Sequence, residues 1–304
     1  MEQRGATVTW MRISLWRSTL VLAAVTALAW PWIANAADPF LIVPPAEEVE
    51  SSPAYRYAHM TPKQAIDELD RRGILYQQVQ PHGRVQTPVR LTGRLQGVHF
   101  HSSLPEHERP TTPFEICDAR FALTLDDFAR ILKRHDIVEV VHFTMFRQWA
   151  RGASTGSAAV PAKAVLPTSK ASTRGKIVRS KTAASKKAKQ KRTAAKTSSS
   201  KLSPIMTGPS RHSVGLAIDV GVMVKRDGTI HSVQSHFGGK VGIKTCGSGA
   251  RKPTETRAKL LWDVVCDAFD EKIFTYVLTP NFDESHKDHL HMEINPSVKW
   301  FLYH

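Results

Sequence analysis

Apolar residues recur at helical spacing after Thr61. Ala65, Ile66 and Leu69 form one stripe, and Gly73 ends it. Thr61 can cap, Pro62 suits a first turn, and Gln64 completes a capping box, so the pattern predicts a helix over 61–73. A second helical pattern spans 125–134, with Thr124 as its cap. A third spans 254–269, with Thr254 as cap and Ala258, Leu261, Trp262, Val265 and Phe269 on one face. Runs rich in alternating, β-branched or aromatic residues predict strands over 89–101, 138–146, 216–223, 274–279 and 289–294. Residues 37–60 contain Pro39, Pro44, Pro45 and Pro53 and read as an irregular lead-in. Short strands and helices with few βαβ units predict an α+β fold, a small antiparallel sheet with flanking helices. The domain would comprise 61–151 and 204–304.

Composition interrupts this pattern twice. At the N-terminus, Arg4, Arg12 and Arg17 precede an apolar stretch from Thr19 to Ile33, and Ala34-Asn35-Ala36 offers a small-x-small cleavage site. Residues 1–36 therefore read as an export signal, which places the mature chain in the periplasm or cell envelope. The run is short for a membrane span, and Pro31 interrupts it. Residues 152–203 are mostly Ala, Ser, Thr and Lys without an aromatic side chain, a composition that cannot bury enough apolar surface to offset ordering. They read as a disordered insertion. The net charge of +15 resides there: 151–203 carries 14 of the 42 Lys and Arg and none of the 27 Asp and Glu. The remainder is close to neutral. Export argues against nucleic acid as the partner of that segment. Anionic wall polymers or lipid headgroups fit it, and a plain solvated linker fits equally.

Export also implies an oxidising compartment. Of three cysteines, Cys246 and Cys266 are close in sequence and make a local bridge the first expectation, with Cys117 left over. The alternative is three small buried apolar groups.

Two stretches carry candidate chemistry. In Ser210-Arg211-His212-Ser213-Val214-Gly215-Leu216-Ala217-Ile218-Asp219, a loop histidine precedes a strand carboxylate. Ala217 shares the strand face with Asp219 and leaves room for an ion, and Gly215 permits an unusual turn between them. In His286-Lys287-Asp288-His289-Leu290-His291-Met292-Glu293, strand periodicity puts His289, His291 and Glu293 on one face and Leu290, Met292 and Ile294 on the other. Two histidines and one carboxylate suit zinc, which leaves a position open to water at catalytic sites. His212, Asp219 and His291 are the expected ligands. His289 is the candidate base, with Asp288 as second choice, and His286 could orient substrate or stabilise an oxyanion. Glu293 either orients a ligating histidine or is solvated at a strand end. His142 is a further candidate for the site. His99 and His101 read as core or surface histidines, and Trp149, Trp262 and Trp300 as core rather than carbohydrate platforms.

The first stretch resembles the Ser-x-His-x-x-Gly-x-Ala-x-Asp signature of the lysostaphin, D-Ala-D-Ala metallopeptidase and hedgehog-like group. The His-x-x-His-x-His run is similar to that of penicillin-insensitive murein endopeptidase. Phe274 through Phe282 leading into His286–His291, together with 143–147 and the Cys246 and Cys266 segments, resembles the bacterial extensin-like C-terminal domain family. The resemblance implies zinc at His212, Asp219 and His291, a base at His289, a peptidoglycan substrate, and substrate or transition-state contact by Arg147. A surface ion pair is the other reading of Arg147. The chain departs from the pattern at the insertion and at Asp288, where metallopeptidases of this group often carry Glu. The expected function is a zinc-dependent peptidase or carboxypeptidase on wall cross-links. The alternative is a non-catalytic zinc-containing wall-binding protein with a basic tether.

Overall fold

A computed structural model describes residues 40–148 and 210–304. The expected export signal at 1–36, the basic segment and Trp149 lie outside the described residues. In chain order the elements are β1 (Leu41–Ile42), α1 (Ala46–Ser51), α2 (Pro53–Ala58), α3 (Pro62–Arg71), β2 (Tyr76–Gln78), β3 (Pro88–Leu91), β4 (His99–Ser102), β5 (Ile116–Asp118), α4 (Ala119–Arg134) and β6 (Ile137–His142). Then follow β7 (Ala217–Lys225), β8 (Ile230–Ser232), α5 (Val233–His236), α6 (Thr256–Asp270), β9 (Tyr276–Leu278), β10 (Leu290–Glu293) and β11 (Phe301–Tyr303). The fold is α+β, as expected.

The sheet is neither small nor wholly antiparallel. Eight strands run in the order β1-β11-β9-β10-β7-β6-β4, with β8 also paired to β7. The β4–β6 and β9–β11 pairs are parallel. A separate three-stranded antiparallel sheet joins β2, β3 and β5. The strand expected over 89–101 is two strands in different sheets. Gly93 and a turn with Gln96 and Gly97 at positive φ part them.

α3 starts as the capping box dictates: the Thr61 side chain accepts from Gln64 N, and Gln64 reaches back to Thr61 N. The lead-in is not irregular, since α1 and α2 occupy much of it. Pro53 stands in the first turn of α2, where its missing N–H costs nothing, and Ser52 caps it. α4 begins six residues before the expected start and is capped by Asp118 rather than Thr124. Buried on nearly every side, α4 packs against α2, α3, α6, β3, β5 and β6 and forms the centre of the core. α6 is capped by Glu255 rather than Thr254.

Asp118 ties this helix to its surroundings. One carboxylate oxygen accepts from Arg120 N and Nε, and the other from Gln86 N, Thr87 N and an Arg120 Nη. A fully buried carboxylate is tolerated when it is paired and hydrogen-bonded in this way. Cys246 and Cys266 form a disulfide that ties the loop after α5 to α6, and Cys117 is a buried free thiol. No helix among the described residues is long and apolar enough to cross a membrane.

Candidate metal centre

Asp219 and His291 face each other across antiparallel β7 and β10, in direct register. Such opposed residues project to one face with their side chains in contact. Leu290, Met292 and Ile294 turn to the core, as the alternation predicts. His212 arrives from a short 3-10 turn, Arg211–Val214, which ends at Gly215 with φ 69°. A Cβ at Gly215 would lie 2.7 Å from Asp118 N, so glycine is required by both conformation and space. The turn therefore rests on the capped end of α4. Asp219 is also held by its backbone, donating to Thr144 O and accepting from Phe143 N.

The three donor atoms converge. His212 Nε2 lies 3.0 Å from Asp219 Oδ1 and 3.2 Å from His291 Nδ1, and His291 Nδ1 lies 2.9 Å from the same Asp219 oxygen. Among the described residues this is the cluster of three whose ligand atoms come together. Ligands about 2.1 Å from a tetrahedral zinc ion lie roughly 3.4 Å apart, so the set matches such an ion with little movement. The outer nitrogens support the same assignment. His212 Nδ1 lies 3.3 Å from Met145 O, which directs Nε2 inward, and His291 Nε2 lies 2.9 Å from Glu293 Oε2. Glu293 is buried, so its solvated reading is set aside.

The electrostatics are those of a shared charge in a dry place. Burial pushes His212 down to about 4, with Asp219 offsetting only part of it. Burial opposes ionised Asp219, yet His212 and His291 outweigh it and hold the carboxyl well below its usual range. Burial also opposes a charged His291, but hydrogen bonds to Asp219 and Glu293 lift it to about 9.

Other expected residues surround this set. His289 precedes β10 rather than lying on it. Its Nε2 stands 3.6 Å from Asp219 Oδ1, and its Nδ1 is 2.8 Å from Asp288 Oδ1. Asp288 is thus turned to His289 and not to the donors. The Phe143 ring packs edge-on against His289 and sits where a side chain at Gly221 would be. His286 is held by Asp283 at 2.7 Å, with its ring 5.2 Å from that of His289 and 6.0 Å from that of His291. Arg147 reaches the site, and its guanidinium donates to Asp219 Oδ2 at 2.9 Å.

His142 is not at the site. It is fully buried, 3.6 Å from Glu115 Oε2. A bulge between Val141 and His142 pairs His142 with Val220, a core residue. His101 is engaged with Glu139 and its own strand at the sheet edge. Trp262 is core, and Trp300 lies half-buried against Tyr276. Two roles went unread in the sequence: the Phe143 contact with His289 and the Met145 carbonyl behind His212. A backbone carbonyl has no residue-type signature.

No curated protein and no solved structure matches the chain. Arg147 and everything before it lie outside the region that a family model covers. Residues 162–301, which hold all three convergent donors and both bridged cysteines, match the family described as the extensin-like protein C-terminus.

Proposed function

We propose that the protein is an exported zinc-dependent hydrolase of peptidoglycan, acting as a peptidase or carboxypeptidase on wall cross-links. The observation that carries the reading is the convergence of His212 Nε2, Asp219 Oδ1 and His291 Nδ1 beside an imidazole, His289, that is not needed as a ligand. A zinc ion held there supplies Lewis acidity and makes water nucleophilic at neutral pH. The chain's own residues do the rest. His289 Nδ1–H donates to Asp288, which leaves Nε2 as the lone-pair nitrogen facing the centre, able to take up a proton and pass it on. Asp288 is placed to fix that tautomer rather than to act as the base. Phe143 limits the swing of the His289 ring and excludes water from one side. His286, whose Nδ1–H is held by Asp283, presents Nε2 as an acceptor that can orient a substrate N–H or O–H.

The test is direct. Purified chain, stripped of metal and reloaded with zinc, is incubated with peptidoglycan, and the soluble fragments are identified by mass. Zinc-dependent release of peptide cleavage products supports the reading; no cleavage with zinc, cobalt or nickel overturns it. A second reading, wall binding without cleavage, draws on Arg147, which is occupied by Asp219 rather than standing free for substrate. It expects co-sedimentation with the wall and an unchanged fragment profile.

A further inference from the structure

Glu293 is a buried carboxylate in an unusual position. Its Oε2 lies 2.9 Å from His291 Nε2, and among the described residues His291 is its ion-pair partner. Its Oε1 is approached by Asn295 Nδ2 at 3.5 Å, a weak neutral contact, and Asn295 in turn reaches the Tyr276 hydroxyl. A carboxylate out of water needs positive charge or strong donors, and the single strong donor here is the imidazole. The register explains how it gets there. Glu293 pairs with Ala217 on β7, the smallest opposed side chain available, so its own side chain can lean along the strand to His291 two residues earlier. Asp219 stands against the other nitrogen of the same ring.

We infer that Glu293 is a positioning residue that makes His291 a ligand through Nδ1, by holding the proton on Nε2 and aiming the ring at Asp219 and His212. This rests on the zinc reading above. The consequence is a mixed set of ligand nitrogens: Nε2 from His212, whose Nδ1 faces a carbonyl, and Nδ1 from His291, whose Nε2 faces a carboxylate. A charged acceptor behind a ligating histidine raises its basicity more than a carbonyl does, and loss of such a partner typically costs about 10–100-fold in metal affinity. Glu293 therefore sets affinity while touching neither metal nor substrate.

The experiment uses the full chain. Zinc affinity is measured by competition with a chromophoric chelator for the wild type, Glu293→Gln and Glu115→Gln. The last removes another buried carboxylate beside a histidine, one whose contacts are Ser102 N and His142 rather than a donor. Long-range 15N NMR of the zinc-loaded wild type reads which nitrogen of His291 is protonated. We expect E293Q to bind zinc about 10–100-fold more weakly, E115Q to match the wild type, and His291 to carry its proton on Nε2. Wild-type affinity in E293Q, or a His291 proton on Nδ1, overturns the inference, as does an equal loss in E115Q. If E293Q fails to fold in chelator, the wild-type spectrum decides alone. A wild type that binds no zinc sinks the zinc reading itself, and that outcome is distinct because the loss appears before any substitution is made.

Discussion

At the scale of single residues, the proposed ligand and the proposed base are separable because they present different atoms. His291 Nδ1 belongs to the convergent set, whereas His289 Nε2 stands 3.6 Å from Asp219 on the rim. His291→Ala should lose zinc and activity together, read as metal content after dialysis and as fragment release. His289→Ala should keep its zinc and lose about 10²–10⁴-fold in turnover, the usual share of a general base. Equal zinc loss in both variants would mean that His289 is itself a ligand. His212, Asp219 and His291 could be read in the sequence because a strand of period two and a glycine between His212 and Asp219 leave few geometries open. Asp288, the second choice of base, lies against His289 Nδ1, a contact that period-two reasoning cannot reach, because it says which face a residue occupies and not what a neighbour's ring nitrogen will meet.

At the scale of elements, a carboxylate clamps two parallel strands. Glu115 Oε1 accepts from Ser102 N at the end of β4, and Oε2 stands beside His142 at the end of β6. Burial opposes this charge, but His142 and the Ser102 N–H outweigh it and lower the carboxyl to about 2 from the usual 4.5. The folded value is below the unfolded one. The contribution is thus complete above the ordinary carboxylate range and is lost as pH falls through 4.5 towards 2. Urea midpoints measured from pH 7 to pH 3 should fall less steeply for E115Q than for the wild type, and parallel curves would refute the clamp. Most elements were legible wherever local chemistry was complete, as in the Thr61–Gln64 box of α3. α4 was cut short because Thr124 resembles a cap, whereas the real one, Asp118, is defined by partners at Gln86, Thr87 and Arg120. α1 and α2 were missed because prolines were weighed as breakers and not as first-turn residues. The parallel pairings were beyond local patterns, since a parallel partner is chosen by tertiary packing.

At the scale of the whole molecule, the described residues that flank the basic segment in sequence lie side by side. Arg147 N donates to His212 O at 3.3 Å, so the chain on either side of 149–209 meets beside the candidate centre. Loop closure costs grow only with the logarithm of length. Deleting 152–203 should therefore preserve the fold and zinc affinity and raise stability by about 1–2 kcal/mol. A thermal melt and the chelator competition check this, and loss of zinc on deletion would show that the segment supports the site. The same closure has a consequence for encounter with an anionic polymer. The 14 cations of 151–203 are tethered at both ends beside the donors. An anion captured there would be bound by the same chain that holds the candidate centre, so its encounter with that centre would be intramolecular rather than set by its concentration in bulk.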